Sequence, residues 1–246
     1  MDIKDFFASC GRVGLGFSGG ADSAYLLYAA VKCGADIRPY YVKTQFQPQF
    51  ELDDALKLCD ELNVQLKVIP LDILDENIAS NPADRCYYCK KRIFSAICRQ
   101  AELDGCCVII DGTNASDEVS DRPGMRALGE LCIRSPLREC GVTKAELRAL
   151  SRKAGLFTWD KPAYACLATR IPTGEIITQD KLCLIENAEN ELFAMGFTDF
   201  RVRTNSGRAI LQFRAAQLDS ARTHFDGIMR RLSPYYSDIT IDPKGR

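Results

Sequence analysis

At 246 residues, with 46% hydrophobic and 26% charged side chains, the chain has the balance of a globular protein with one large domain, or one domain plus a smaller one. No stretch reaches the ~18 consecutive apolar residues that a bilayer span needs. The start Met1-Asp2-Ile3-Lys4-Asp5 does not read as a signal peptide, so a cytoplasmic protein with no membrane partner is expected. A formal net charge of −1 gives no basic footprint for nucleic acid, which favours a small-molecule partner.

In chain order, an apolar strand over 13–17 leads into Ser18-Gly19-Gly20-Ala21-Asp22-Ser23 and a helix-like run over 24–33. A strand at 37–42, a helix at 50–62 with Leu52, Ala55, Leu56, Cys59 and Leu62 on its apolar positions, and a strand at 64–69 follow. This alternation with short turns predicts an α/β fold with a doubly wound parallel sheet. A polar connection over 71–85, a helix over 87–103 and a buried strand over 107–110 come next, and the strand runs into Asp111-Gly112-Thr113-Asn114. Asp117 and Asp121 lie in a loop closed by Arg122-Pro123-Gly124, and 133–137 reads as short and extended. Thr143 followed by Glu146 predicts a capping box opening a helix over 143–154, which Gly155 ends. Composition shifts at 159–174, so the expected domains are 1–160 and a small C-terminal α+β unit, 161–246. In the latter, helices at 179–195 and 215–232 alternate with strands at 200–204, 209–213 and 236–241, which suggests a small antiparallel sheet.

Three groups of residues carry chemistry. A glycine-rich turn between a strand and a helix aims backbone N–H groups and the positive end of the helix dipole at one point, which suits phosphate. Ser18, Gly19, Gly20, Asp22 and Ser23 build that turn, with the serines as hydroxyl donors and Asp22 able to hold Mg2+. Gly112 and Thr113, at the end of a later strand, face the same side. No Gly-Lys-Ser/Thr ending is present, so the turn is not a Walker loop; a plain Gly-Gly turn is the bland alternative.

The second group is Cys86 and Cys89. With twelve cysteines and one histidine, His224, a metal site must lean on thiolates. Cys-x-x-Cys at a helix start lets two thiolates meet one ion or cluster, beside Arg85, Lys90 and Lys91, and Cys166 in a later loop is the natural third. A structural zinc half-site, or two unrelated helix cysteines, is the competing reading. The third group is cationic: Thr169, Arg170, Arg201 and Arg203, with Arg208 nearby, could grip a phosphate by paired N–H donors, against the alternative of a solvated basic face.

Taken together the motifs resemble the LarE family of ATP-dependent sacrificial sulfur transferases, within the PP-loop ATP pyrophosphatases. The matching stretches are Ser18 to Ser23, Asn81-Pro82-Ala83-Asp84-Arg85-Cys86-Tyr87-Tyr88-Cys89-Lys90, Asp111 to Asn114, Arg122-Pro123-Gly124-Met125-Arg126-Ala127, Arg134-Ser135-Pro136-Leu137, Lys161-Pro162, Ala165-Cys166-Leu167, Arg170-Ile171-Pro172 and Arg201-Val202-Arg203. The resemblance implies a fold of the adenine nucleotide alpha hydrolase type, with ATP and Mg2+ as cofactors. The implied substrate is a small nucleotide, pyridinium-3,5-dicarboxylate mononucleotide, one carboxylate of which is adenylated and then converted to a thiocarboxylate. By the same resemblance Cys166 matches the sulfur-donating cysteine, Glu189 an active-site position, and Arg126 accompanies Gly112 and Thr113 at the nucleotide. Cys86 and Cys89 together with Cys166 place the chain in a branch whose three cysteines hold a [4Fe-4S] cluster, and a homo-oligomer is implied. Rival readings are a tRNA thiolase, an amidating NAD or GMP synthetase, and a non-catalytic nucleotide- or zinc-binding protein; the low basic charge and the lack of room for a glutaminase count against the enzymes among them.

Overall fold

The computed structural model describes residues 2–118 and 123–246, so Asp121 and Arg122 lie outside the described residues. By contacts the chain divides into two compact units, Met1–Ile73 with Asp84–Ala163, and Leu74–Ala83 with Tyr164–Arg246.

The first unit opens with α1 (Ile3–Ala8), held by a reciprocal cap between Asp2 and Asp5. Strand β1 (Val13–Gly16), helix α2 (Ala21–Lys32), strand β2 (Ile37–Lys43), helix α3 (Gln49–Glu61) and strand β3 (Lys67–Pro70) follow. After the short helix α4 (Glu76–Ala79), which belongs to the second unit, come α5 (Arg85–Leu103), β4 (Val108–Ile110), α6 (Pro123–Glu130), α7 (Pro136–Glu139) and α8 (Lys144–Lys153). The strands pair in parallel in the order β3-β2-β1-β4, with Val13 opposite both Ile37 and Val108.

Helices cover the sheet on both sides. One core gathers Phe6, Leu15, Leu26, Leu27, Leu58 and Leu147, and a second gathers Tyr40, Val42, Phe94, Ile97 and Leu128. This is the expected doubly wound α/β arrangement. Fully buried leucines such as Leu26, Leu27 and Leu58 each contribute about 1.5–3 kcal/mol by leaving water.

Local departures have identifiable causes. On α3, Leu58 is buried and Leu56 is exposed, because the apolar face runs through Ala55, Leu58 and Cys59 at helical spacing. Strand β3 begins at Lys67; Val64 and Leu66 pack against the core from the preceding loop. Pro123-Gly124 opens α6 instead of merely closing a loop, with proline at a first-turn position where its missing N–H costs nothing. In 133–137 the extended part is a single parallel bridge between Ile110 and Arg134, after which Pro136 starts α7. The capping box at Thr143 and Glu146 is present, and Gly155 (φ 71°) follows the helix end.

The second unit adds the 3₁₀ turn Leu167–Arg170, α9 (Gln179–Ala194), β5 (Phe200–Asn205), β6 (Arg208–Phe213), α10 (Ala215–Thr223), α11 (Phe225–Leu232) and β7 (Asp238–Ile241). Its sheet is mixed, not antiparallel throughout: β5 and β6 are antiparallel, while β7 returns parallel to β6 after the helical crossover. The helix expected over 215–232 is broken at His224, which caps α10 and precedes α11. Segment 74–83, read from sequence as a connection, joins this unit through Asn81. Its Nδ2 donates to the carbonyls of Pro172 (2.7 Å) and Ile171 (3.3 Å), and its own carbonyl accepts from Gly174 N (2.9 Å). Among the described residues no helix is long and apolar enough to cross a membrane.

Candidate active site

In the first unit the stretch Ser18 to Ser23 lies at the carboxyl end of β1, with Gly20 as the N-cap of α2. Gly19 has φ 70°, and a Cβ there would stand 2.9 Å from the Glu51 carbonyl oxygen, so both conformation and space demand glycine. The turn is laced internally. Ser18 and Ser23 hydroxyls are 3.1 Å apart, Ser23 Oγ donates to the Gly20 carbonyl (3.2 Å), and Ser18 N donates to Ser23 Oγ (3.3 Å). Lys161 Nζ supports it from outside, donating to the Gly19 carbonyl (3.3 Å) and pairing with Asp54 (2.6 Å). The first N–H groups of α2 have no intrahelical acceptor, which leaves them for a ligand.

Gly112 follows β4 and approaches the start of α2 closely: a Cβ would meet Ser23 N at 2.9 Å and Ser23 Cα at 3.1 Å. The neighbouring turn is fixed by the buried Asp111 carboxylate, which accepts from Thr113 Oγ1 (2.5 Å), Thr113 N (3.2 Å) and Ser135 Oγ (2.6 Å).

These two turns wall a cavity of about 550 Å³. Ser18, Gly20, Asp22, Ser23, Asp111, Gly112, Thr113, Asp117 and Glu118 give it a polar side; Phe17, Tyr40, Val42, Ile93, Phe94, Ile97 and Met125 give it an apolar one. Its shape and lining are those of a small-molecule site at the carboxyl ends of a parallel sheet. Cys86 and Lys90, one turn apart on α5, also line it. Cys89 sits on the same opening turns of α5 and is partly buried. Arg126 is not brought to the cavity. Its guanidinium stacks on the Tyr87 ring at 3.9 Å and lies 3.9 Å from Glu130. Lys91 is likewise engaged, by Glu130 (2.7 Å) and the Tyr87 hydroxyl (2.9 Å), and these bonds raise its pKa. Arg85 is buried with its guanidinium 6.0 Å from the Phe46 ring centroid.

Two lysines that sequence reasoning did not assign reach the glycine turn: Lys161, which donates to the Gly19 carbonyl, and Lys144, whose Nζ is 2.5 Å from Asp22 Oδ1. Lys161-Pro162 carried a family match without a role; nothing in the local sequence pointed to Lys144.

In the second unit Cys166 is the N-cap of the 3₁₀ turn. The sequence assigned Arg170 to a substrate phosphate; the structure places its guanidinium among protein partners. Arg170 is 1% exposed and grips Glu189 through Nε (2.9 Å) and Nη2 (3.2 Å), while Nη1 donates to the Ala165 carbonyl (2.6 Å) and Thr169 Oγ1 (3.0 Å). Burial works against the Arg170 cation, but the Glu189 charge and hydrogen bonds more than offset it and raise its pKa. Glu189 is equally committed, accepting from Val202 N (3.0 Å) and the Tyr164 hydroxyl as well. The pair is tied to the Cys166 turn through the Ala165 carbonyl, and the Thr169 hydroxyl donates to the Cys166 carbonyl (2.8 Å). Arg208 also leaves the group: it is exposed and pairs with Asp238 at 2.7 Å.

Arg201 and Arg203 do share a face of β5, the buried alternates being Phe200, Val202 and Thr204. Arg203 donates to Gln212 Oε1 (2.5 Å) and the Thr169 carbonyl (2.8 Å). Arg201 has no hydrogen-bond or ion-pair partner among the described residues. Both pKa values are lowered, first by burial and then by the neighbouring cations Arg246 and Arg170. Guanidinium groups crowded at this cost make an anion-seeking face.

Among the described residues no group of three or more His, Cys, Asp or Glu side chains is gathered for a metal ion. Cys86 and Cys89 belong to one unit and Cys166 to the other.

The parallel sheet and its glycine turn define a doubly wound α/β protein with its ligand cavity at the strand ends. No family model matches the chain. It is similar over nearly its whole length to pyridinium-3,5-bisthiocarboxylic acid mononucleotide synthase of Lactiplantibacillus plantarum, with 32% identity over 238 residues, 95% of this chain and 86% of that protein. Uncharacterised proteins of Synechocystis sp. (33% over 221 residues, 88% of this chain and 82% of that protein) and Methanocaldococcus jannaschii (29% over 201 residues, 82% and 77%) are similar as well. The chain belongs to the LarE family.

Proposed function

We propose that the chain is an ATP-dependent sulfur transferase of nickel-pincer cofactor biosynthesis. It adenylates a carboxylate of pyridinium-3,5-dicarboxylate mononucleotide, releasing pyrophosphate, and sulfur then displaces AMP to leave a thiocarboxylate. The name of the L. plantarum relative, a synthase of the bisthiocarboxylic acid mononucleotide, supports that product. The observation that carries the reading is that one cavity is lined both by the phosphate-type turn, through Ser18, Gly20, Asp22 and Ser23, and by a helix-start cysteine, Cys86.

Each residue has a part in this chemistry. The N–H groups at the start of α2 and the serine hydroxyls bind the phosphates and stabilise the charge that develops as pyrophosphate leaves. Asp22 would hold Mg2+, which supplies positive charge to the phosphates; a cavity-facing carboxylate is the oxygen donor such a cation takes. The apolar wall made by Tyr40, Val42, Phe94 and Ile97 takes the base and keeps water from the mixed anhydride. Arg201 and Arg203 hold the substrate phosphate, and the Arg170–Glu189 pair keeps Thr169 and Cys166 in place. Cys86, Cys89 and Cys166 are thiolate donors of the type iron–sulfur clusters use, and they would hold a [4Fe-4S] cluster whose open iron supplies a site for exogenous sulfide.

Anaerobic purification tests the donor side. Brown protein whose visible absorbance is lost in Cys86→Ala, Cys89→Ala and Cys166→Ala is expected; colourless protein with stoichiometric zinc would contradict the cluster. Added sulfide is expected to allow several products per chain, whereas intact chains that each lose the elements of hydrogen sulfide after one turnover would point to Cys166 as a sacrificed donor. Light scattering checks the homo-oligomer that the family suggests.

A further inference from the structure

The Asp22 carboxylate, which the proposed chemistry reserves for a divalent cation, already carries a cation. Lys144 Nζ stands 2.5 Å from Asp22 Oδ1. Asp22 lines the cavity beside Ser18, Gly20 and Ser23; Lys144 is not a lining residue and reaches the carboxylate from α8.

The backbone under Lys144 is fastened by several partners, while its side chain is held at its tip alone, by Asp22. Thr143 and Glu146 close the capping box, Lys144 N donates to Ser116 Oγ (3.0 Å), and Ala115 N donates to the Val142 carbonyl (2.9 Å). Beyond the Cα, four methylenes end in an ammonium paired with Asp22, and the two side chains are 34% and 28% exposed. A buried strut would be drier than that. The position is also unfavourable for a cation, since the start of a helix carries the positive end of its dipole. A lysine kept there and turned onto the cavity's carboxylate calls for a use.

We propose that Lys144 is a placeholder cation for this site. It neutralises Asp22 while the cavity is empty, yields the carboxylate to Mg2+ when a nucleoside triphosphate enters, and then turns its ammonium onto the pyrophosphate part of that nucleotide. The inference rests on the nucleotide reading of the cavity. One carboxylate oxygen cannot serve an ammonium and a divalent cation at full strength, and the doubly charged hard cation is the stronger partner for it. The displaced ammonium has three N–H donors and needs acceptors, and the arriving phosphate oxygens are acceptors at the right moment. The exchange keeps the carboxylate paired throughout, with the ammonium before loading and with Mg2+ after it, and the released ammonium then offsets part of the polyphosphate charge.

The test uses full-length wild type, Lys144→Met and Lys144→Gln, each checked for folding by thermal melting. Mn2+, as a paramagnetic probe for the Mg2+ site, is titrated by electron paramagnetic resonance without nucleotide. α,β-Methylene-ATP with Mg2+ is titrated by calorimetry. Removing the competitor is expected to tighten Mn2+ binding about three- to fivefold, while loss of the ammonium weakens binding of the analogue about tenfold. Opposite movements of the two affinities distinguish this role from that of a helix–helix strut. Folded variants in which both affinities stay within twofold of wild type overturn the role of Lys144 while leaving the nucleotide reading intact. A wild-type chain that binds neither Mn2+ nor the analogue overturns both.

Discussion

The two charged regions of this chain are built on opposite plans. Around Ser18 to Ser23 the fold creates binding capacity out of backbone: a left-handed glycine at 19, a close approach at Gly112, and helix-start N–H groups without acceptors. Around Cys166 the second unit creates it out of side chains, and most of those side chains first satisfy one another. Arg170 and Glu189 bury their charges together, Arg203 spends its donors on Gln212 and Thr169, and Arg201 is left over. A backbone-built site is generic and preformed; a side-chain-built site is specific, and the group its network leaves unsatisfied is the one proposed above to meet the ligand.

The sharpest way to break this contrast is at the buried pair. Glu189→Gln keeps the volume but leaves Arg170 buried without its counter-charge, so a loss of about 3–5 kcal/mol in the unfolding of the second unit is expected in urea titrations. A loss below 1 kcal/mol would mean that water reaches Arg170. Next is the turn itself: Asp22→Ala is expected to slow pyrophosphate release by about 10²–10³ with little change in melting temperature. Equal rates for the variant and wild type would remove Asp22 from the chemistry.

How far these regions could be read from sequence follows the same division. The glycine turn between strand and helix, the doubly wound alternation and the Thr143–Glu146 cap were legible because each is fixed by neighbours within a few residues. The burial of Arg170 against Glu189 is hidden in the sequence because the partner lies 19 residues away, and an arginine beside a threonine looks the same whether it faces a ligand or the core. Segment 74–83 has no period to reveal it; Asn81, 90 residues from Ile171, and the Ala79 carbonyl, which accepts from Ile177 N, bind it to the second unit. The break at His224 has no glycine or proline to announce it, and the parallel return of β7 depends on tertiary packing. Lys144 was invisible for a similar reason, since Asp22 is 122 residues away.

Smaller effects sharpen the side-chain site. Arg201→Ala is expected to raise KM for the dicarboxylate nucleotide about tenfold to a hundredfold, the cost of one charge-assisted contact, with kcat nearly unchanged. Relief of repulsion from Arg246 and Arg203 should leave stability the same or slightly higher. An unchanged KM would return this face to solvent. Smallest is Arg208→Ala: its pair with Asp238 is exposed, so KM should stay put and stability should change by less than about 1 kcal/mol. A large KM effect would draw Arg208 back into the phosphate group.

The most direct measurement is the mass of the product formed when the anaerobically purified chain meets ATP, Mg2+, sulfide and pyridinium-3,5-dicarboxylate mononucleotide. The expected product is a nucleotide in which carboxylate oxygen has been replaced by sulfur, with one AMP and one pyrophosphate released for each replacement. An unaltered nucleotide, or AMP and pyrophosphate formed with no sulfur in the product, would contradict it.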